Sequence, residues 1–149
     1  MALSSGFRFE ERMAGRYHLL ATPSDEREME FTLTARAPSI ASFLRRPVAT
    51  MEGEADLQGF ADHKPARGTM LISPLVKRVI GYDFEFKGND GETYRFQGQK
   101  DVELSRLQSS MSRLPASIFD SKGAEVGRAV VHFHYRADLF RFLRSWRLD

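Results

Sequence analysis

The segment from Tyr82 to Phe96 constrains the fold more than any other part of the chain. Tyr82, Phe84 and Phe86 alternate with Asp83, Glu85 and Lys87, and Tyr94 and Phe96 alternate with Thr93 and Arg95. In an extended strand successive side chains point to opposite faces, so this period puts the rings on one face and the charges on the other. Gly88, Asn89, Asp90 and Gly91 lie between the two arms and tolerate the positive φ that tight hairpin turns require. The segment therefore predicts a β-hairpin, and a chain built on antiparallel sheet with one aromatic face.

The same alternation recurs elsewhere. Phe7, Phe9, Met13, Tyr17 and Leu19 share one parity, which Glu11 breaks, and predict one long strand bulged near Gly15. A turn over Thr22–Arg27 leads to a second strand carrying Met29, Phe31, Leu33 and Ala35. Ser39 then caps a short helix with Ile40, Phe43 and Leu44 on its apolar stripe, stopped by Pro47. Val48–Leu57 returns to strand, and its small residues Ala49, Gly53 and Ala55 predict close packing or a sharp bend. Gly59–Gly68, polar and containing Pro65, reads as a loop. Thr69–Ser73 reads as a strand, Pro74–Arg78 as a connection, and the hairpin arms run over Val79–Lys87 and Glu92–Val102. Leu104–Arg113 fits either a bulged strand or a loop. Ala116–Asp120 and Glu125–Tyr135 are strands around a turn at Ser121–Ala124, and Asp138 caps a final helix through Trp146. The Ser39-Ile40-x-x-Phe43-Leu44-Arg45 segment echoes Asp138-Leu139-x-x-Phe142-Leu143-Arg144, as an internal duplication would. Residues 1–149 thus form a single, mainly β domain of nine or so strands and two short helices. It is an antiparallel β-barrel or a two-layer sandwich; a barrel has the merit of leaving no exposed edge.

A chain of 149 residues can bury roughly 70% of its unfolded surface, so it needs no covalent staple. It has no cysteine, which excludes disulfides, a thiolate nucleophile and thiolate zinc sites. With no cysteine, a reducing cytoplasm is the expected setting; the first residues show no basic region followed by an apolar run, so no signal peptide is expected, and no apolar run approaches the ~20 residues that span a bilayer. The formal charge is +2, with 20 acidic residues interspersed among 22 basic ones, and no nucleic-acid signature is present; nucleic acid is not an expected partner.

No phosphate loop, dinucleotide fingerprint or nucleophile elbow occurs. His132 and His134 stand two apart on one strand, opposite the face of Val131, Phe133 and Tyr135. Such a pair can ligate a metal, with His18, Asp62 or His63 folding close, but no third ligand is evident and no metal is assigned. Asp83 with Glu85, and Glu52 with Glu54, are paired carboxylates that could do acid–base work. Facing Lys or Arg across a sheet is the commoner fate of such pairs. Of the twelve phenylalanines, four tyrosines and six methionines most are expected in the core, and a surplus can line an apolar ligand site.

The pattern Phe9-x-x-x-Met13-x-Gly15, Phe43-Leu44, Gly68-x-Met70-x-Ile72, Tyr82-x-Phe84-x-Phe86, Gly91-x-x-Tyr94-x-Phe96-x-Gly98-x-Lys100-Asp101-Val102 and Asp138-Leu139-x-x-Phe142-Leu143 resembles an accessory domain. That domain accompanies bacterial glucose–methanol–choline-type, cholesterol-oxidase-like oxidoreductases. The resemblance spans nearly the whole chain and its motifs are structural. It implies a module that handles a sterol-like or other lipid substrate beside an oxidoreductase partner, the flavin chemistry belonging to a separate domain. No cofactor is expected here.

The first expectation is accordingly a non-catalytic module that binds an apolar, lipid- or sterol-like molecule or docks to an oxidoreductase. Tyr82, Phe84, Phe86, Tyr94 and Phe96 would form core or pocket wall, and Lys100 a polar anchor. Two other classes fit the same sequence. One is a small barrel enzyme (isomerase, cyclase or hydrolase) using carboxylates or histidines of the lumen. The other is an interaction domain, homodimeric through an exposed strand.

Overall fold

A computed structural model describes residues 7–37, 48–73, 79–101 and 113–133. They form eight strands: β1 (Phe7–Leu19), β2 (Arg27–Ala37), β3 (Val48–Leu57), β4 (Ala61–Ser73), β5 (Val79–Lys87), β6 (Thr93–Asp101), β7 (Arg113–Phe119) and β8 (Glu125–Phe133). Each strand pairs antiparallel with its neighbour in sequence, and β8 returns to pair with β1 from Met13↔Phe133 to Leu19↔Gly127. The sheet is therefore a closed barrel, which decides between the two architectures the alternation allowed. Both expected helices, Ser39–Pro47 and Asp138–Trp146, and with them the internal echo, lie outside the described residues, as does His134.

The aromatic hairpin forms as its sequence requires. Phe84 faces Phe96, and Phe86 faces Tyr94, in a nine-pair ladder from Val79↔Asp101 to Lys87↔Thr93. In the turn the Gly88 N–H donates to the Glu92 carbonyl (2.9 Å) and the Gly91 N–H to the Gly88 carbonyl (3.0 Å), with Gly91 at φ +84°. An L side chain would be strained at that φ, so the turn needs its glycine.

Two sequence expectations are corrected. The stretch from Ala61 to Gly68 is not a loop but the first half of β4. Proline cannot donate to a ladder, yet Pro65 pairs with Glu54 of β3 while the β4–β5 ladder begins only at Ala66↔Phe86. Pro65 is tolerated because its strand has a ladder on one side alone at that level. The irregularity sits just before it, where the β3–β4 register shifts between Ala55 and Leu57 and His63 takes φ +51°. Likewise β7 starts at Arg113, earlier than its alternation showed. Of the close packing or sharp bend expected from the small residues of β3, it is close packing that Gly53 shows, where a Cβ would lie 1.9 Å from the Thr32 carbonyl oxygen. The register of β1 runs through Gly15 without a shift, so Gly15 marks a close approach to the β8 backbone and not a bulge.

Every buried residue among those described is an apolar residue, a tyrosine or a glycine. Phe31 of β2 is the hub: its ring centroid is 4.6 Å from that of Phe84 and 5.0 Å from that of Phe96, both near edge-to-face, while Phe84 and Phe96 stack at 4.8 Å. Burying each such ring stabilises the fold by about 1.5–3 kcal/mol, and well-oriented ring pairs add roughly 0.5–1.5 kcal/mol. Met13, Met51, Met70, Leu33, Leu57 and Ile118 complete the interior.

Candidate functional site

The barrel has two unlike ends. The β1–β2, β3–β4, β5–β6 and β7–β8 turns all lie at one end, because a meander of antiparallel strands brings alternate connections together. The segments 38–47, 74–78 and 102–112 connect strands at the other. Aromatic residues close the turn end. The Tyr17 hydroxyl donates to the Gln58 carbonyl (2.5 Å), and Phe60, in the β3–β4 turn, packs against Tyr17, Phe86 and Tyr94, with its centroid 4.6 Å from that of Tyr94. Tyr94 donates its hydroxyl to Asp90 Oδ2 (2.6 Å), and Asp90 Oδ1 accepts the Glu92 N–H (2.9 Å). These bonds hold the Asp90 carboxyl below its ordinary range and push the Tyr94 phenol up to about 12.

Of the residues singled out for an apolar site, Phe84, Phe86 and Phe96 converge in this ring cluster and are fully buried. Tyr94 is half-buried at its rim. Tyr82 is buried one step further from the turn, opposite Gly98 and Met70. Lys100 stands in β6 opposite Ile80, nearer the far end of the strand, and nothing is described of its side chain. Two rings central to the cluster were not singled out. Phe31 is signalled by the alternation of its strand, whereas Phe60 fell at the edge of a stretch that reads as loop. Beyond the rings the interior is lined by small and flexible side chains: Ala35, Ala37, Ala49, Met51, Met70 and Leu114.

The polar candidates stand on the outer face. Asp83 Oδ1 is 2.8 Å from the Arg95 Nε, and its Oδ2 accepts from the Gln97 side-chain amide (3.3 Å). Glu85, Glu52, Glu54 and His132 are exposed. His18 pairs in register with Arg128, while His63 lies 3.0 Å from Asp56 and 3.4 Å from Glu54 at the β3–β4 hairpin, so neither joins His132. Asp62 is held by Asn89 through two 2.9 Å bonds. Among the described residues, no three of His, Asp and Glu are placed to share a metal ion.

The wall itself is uneven. The β6–β7 ladder has four pairs, from Arg95↔Phe119 to Gly98↔Ala116, and stops beside Pro115, which has no N–H to give. Along this seam runs a groove of about 440 Å³ lined by Gln97, Gly98, Gln99, Pro115, Ala116 and Ser117. From β1 and β8 it takes in Arg16, His18, Arg128, Ala129 and Val130, and from the β1–β2 turn Glu26. A larger groove, about 890 Å³, crosses β2–β5 and is lined by charges of both signs, including Arg36, Glu52, Glu54, Arg67, Glu85 and Lys87.

The fold and site define a closed, eight-stranded antiparallel barrel with an apolar interior. No family model matches the chain, and no curated protein or solved structure matches it.

Proposed function

We propose that the barrel is a non-catalytic binding module for an apolar, lipid- or sterol-like small molecule. One observation carries this reading: the buried residues described are apolar side chains, tyrosines and glycines, inside a barrel whose aromatic end is closed and whose two longest connections lie at the opposite end. Eight strands enclose a space just wide enough for side chains or one small ligand, and barrel mouths are common ligand sites. The ring cluster of Phe31, Phe84, Phe86 and Phe96 would form the floor. Above it, Tyr82, Met51, Met70 and the alanines would contact the ligand, and methionines repack readily around guests of varied shape. The resemblance to an accessory domain of cholesterol-oxidase-like oxidoreductases adds a setting, in which the module presents such a molecule to a partner enzyme.

The enzyme alternative draws less support. Asp83, Glu85 and His132 lie on the outer face, and Asp83 is already paired with Arg95. The homodimer alternative needs a free strand edge, and the ring of eight pairs leaves none of full length.

Native mass spectrometry of protein purified from a lipid-rich extract tests the reading, together with thermal melts in fatty acids and sterols. A bound mass in the lipid range, or a rise in melting temperature with added ligand, is expected, since a ligand that binds the native state stabilises it by mass action. The reading fails if neither is seen with either class of compound.

A further inference from the structure

The seam between β6 and β7 differs from the rest of the wall in three ways that meet at one place. Among the described residues its ladder, of four pairs, is the shortest. The last pair, Gly98↔Ala116, joins two of the smallest side chains, both half-buried, and the space over Gly98 is filled by the buried side chain of Leu114, which would have to swing aside for a guest to pass. The groove over it is rimmed by Arg16, His18 and Arg128, against Glu26. Arg128 keeps one guanidinium nitrogen 3.2 Å from Glu125, which leaves other donors of its fork for a further acceptor. Two arginines, from β1 and β8, therefore line the groove that runs along this short ladder, and the interior behind it is greasy.

We propose that this groove takes the carboxylate head group of an amphipathic ligand, whose tail passes between β6 and β7 into the barrel. The proposal rests on the reading of the barrel as an apolar binder and adds the class of ligand. A guanidinium fork matches a carboxylate in geometry as well as charge, which a hydrocarbon or an alcohol cannot exploit. Arg16 and Arg128 come from adjacent strands at neighbouring register positions, Arg16 opposite Val130 and Arg128 opposite His18, so both can address one head group.

Titration calorimetry with dodecanoate and with dodecanol separates the possibilities. The acid is expected to bind about tenfold or more tightly than the alcohol, the scale of one charge-assisted bond. Replacing both arginines (Arg16→Gln with Arg128→Gln) should bring the acid down to the level of the alcohol and leave the alcohol unchanged. Arg36→Gln with Arg67→Gln, which removes the same charge from the β2–β5 groove, should change neither. These side chains lie on the outer face, so an unchanged circular-dichroism spectrum is expected for all variants. Equal affinity for acid and alcohol in the unaltered protein, or a double variant that still prefers the acid, overturns the head-group site while the apolar reading stands. If neither compound binds while a sterol does, the head-group site falls and the apolar reading stands; if no fatty acid, alcohol or sterol binds, both fall.

Discussion

Strand β6 has two sides, and they are held very differently. Against β5 it makes nine ladder pairs, two of them ring on ring. Against β7 it makes four, and the last joins glycine to alanine. Backbone and strand are the same, so the difference comes from what the neighbour supplies. β5 brings an unbroken alternation and a tight turn that pins its register, whereas β7 brings Pro115 and arrives through the longer connection 102–112. A closed barrel is therefore not uniformly closed. Its wall is as firm as each ladder, and the weakest ladder is where a ligand would meet the least resistance.

The largest expected effect lies on the strong side. Phe84→Ala should cost about 3–5 kcal/mol, because it removes a fully buried ring that touches both Phe31 and Phe96. Leu114→Ala, on β7 beside the seam, should cost less, about 2–3 kcal/mol, at the low end for a buried leucine because a short ladder can close over the gap. Urea melts of both variants check the contrast, and equal losses would show that the seam packs as rigidly as the hairpin.

What could be read from the sequence follows the same division. The hairpin was legible because its arms and its turn are contiguous, and each residue's face follows from its own parity. The first half of β4 was not, since His63 and Pro65 read locally as loop residues, and only pairing with β3 makes their segment part of a strand. Phe60 was missed with it. Closure through β1 and β8 joins the first and last described strands, a distance that no local period reports. The seam escaped as well, because the effect of Pro115 depends on which strand lies beside it. Among the candidate site residues, Phe84, Phe86 and Phe96 could be grouped by parity alone, but their hub, Phe31, comes from a strand that sequence periodicity cannot place against them.

A smaller effect is expected at the hairpin turn. Tyr94→Phe removes the bond to Asp90 and should cost about 1 kcal/mol, the usual net value for one hydrogen bond. The phenol is raised from 10.0 to about 12, so its contribution is fully present below pH 10 and lost as pH rises through about 12. The Asp90 carboxyl is lowered from 3.8, so its share is present above that pH and lost as pH falls through the lower folded value. The variant should lose the alkaline dependence and keep the part of the acid dependence that the Glu92 N–H supplies to Asp90. A tyrosine absorbance titration of the parent that lacks a phenol near pH 12 would contradict the bond.

The smallest change in stability is expected for Pro115→Val. The added N–H can extend the β6–β7 ladder by about 1 kcal/mol, while the freer unfolded chain offsets roughly 0.4–1 kcal/mol of it. Melting should barely move, yet amide exchange near Gln99 should slow. Faster exchange there would mean that proline is not what stops the ladder.

The central claim is that β6 is firmly paired on one side and only partly on the other, and residue-resolved amide hydrogen exchange of this strand tests it most directly. Alternate amides of a strand point to opposite neighbours. Those bonded to β5 should be protected along Thr93–Asp101, and those facing β7 only from Arg95 to Gly98. Equal protection of both sets along the whole strand would contradict the account.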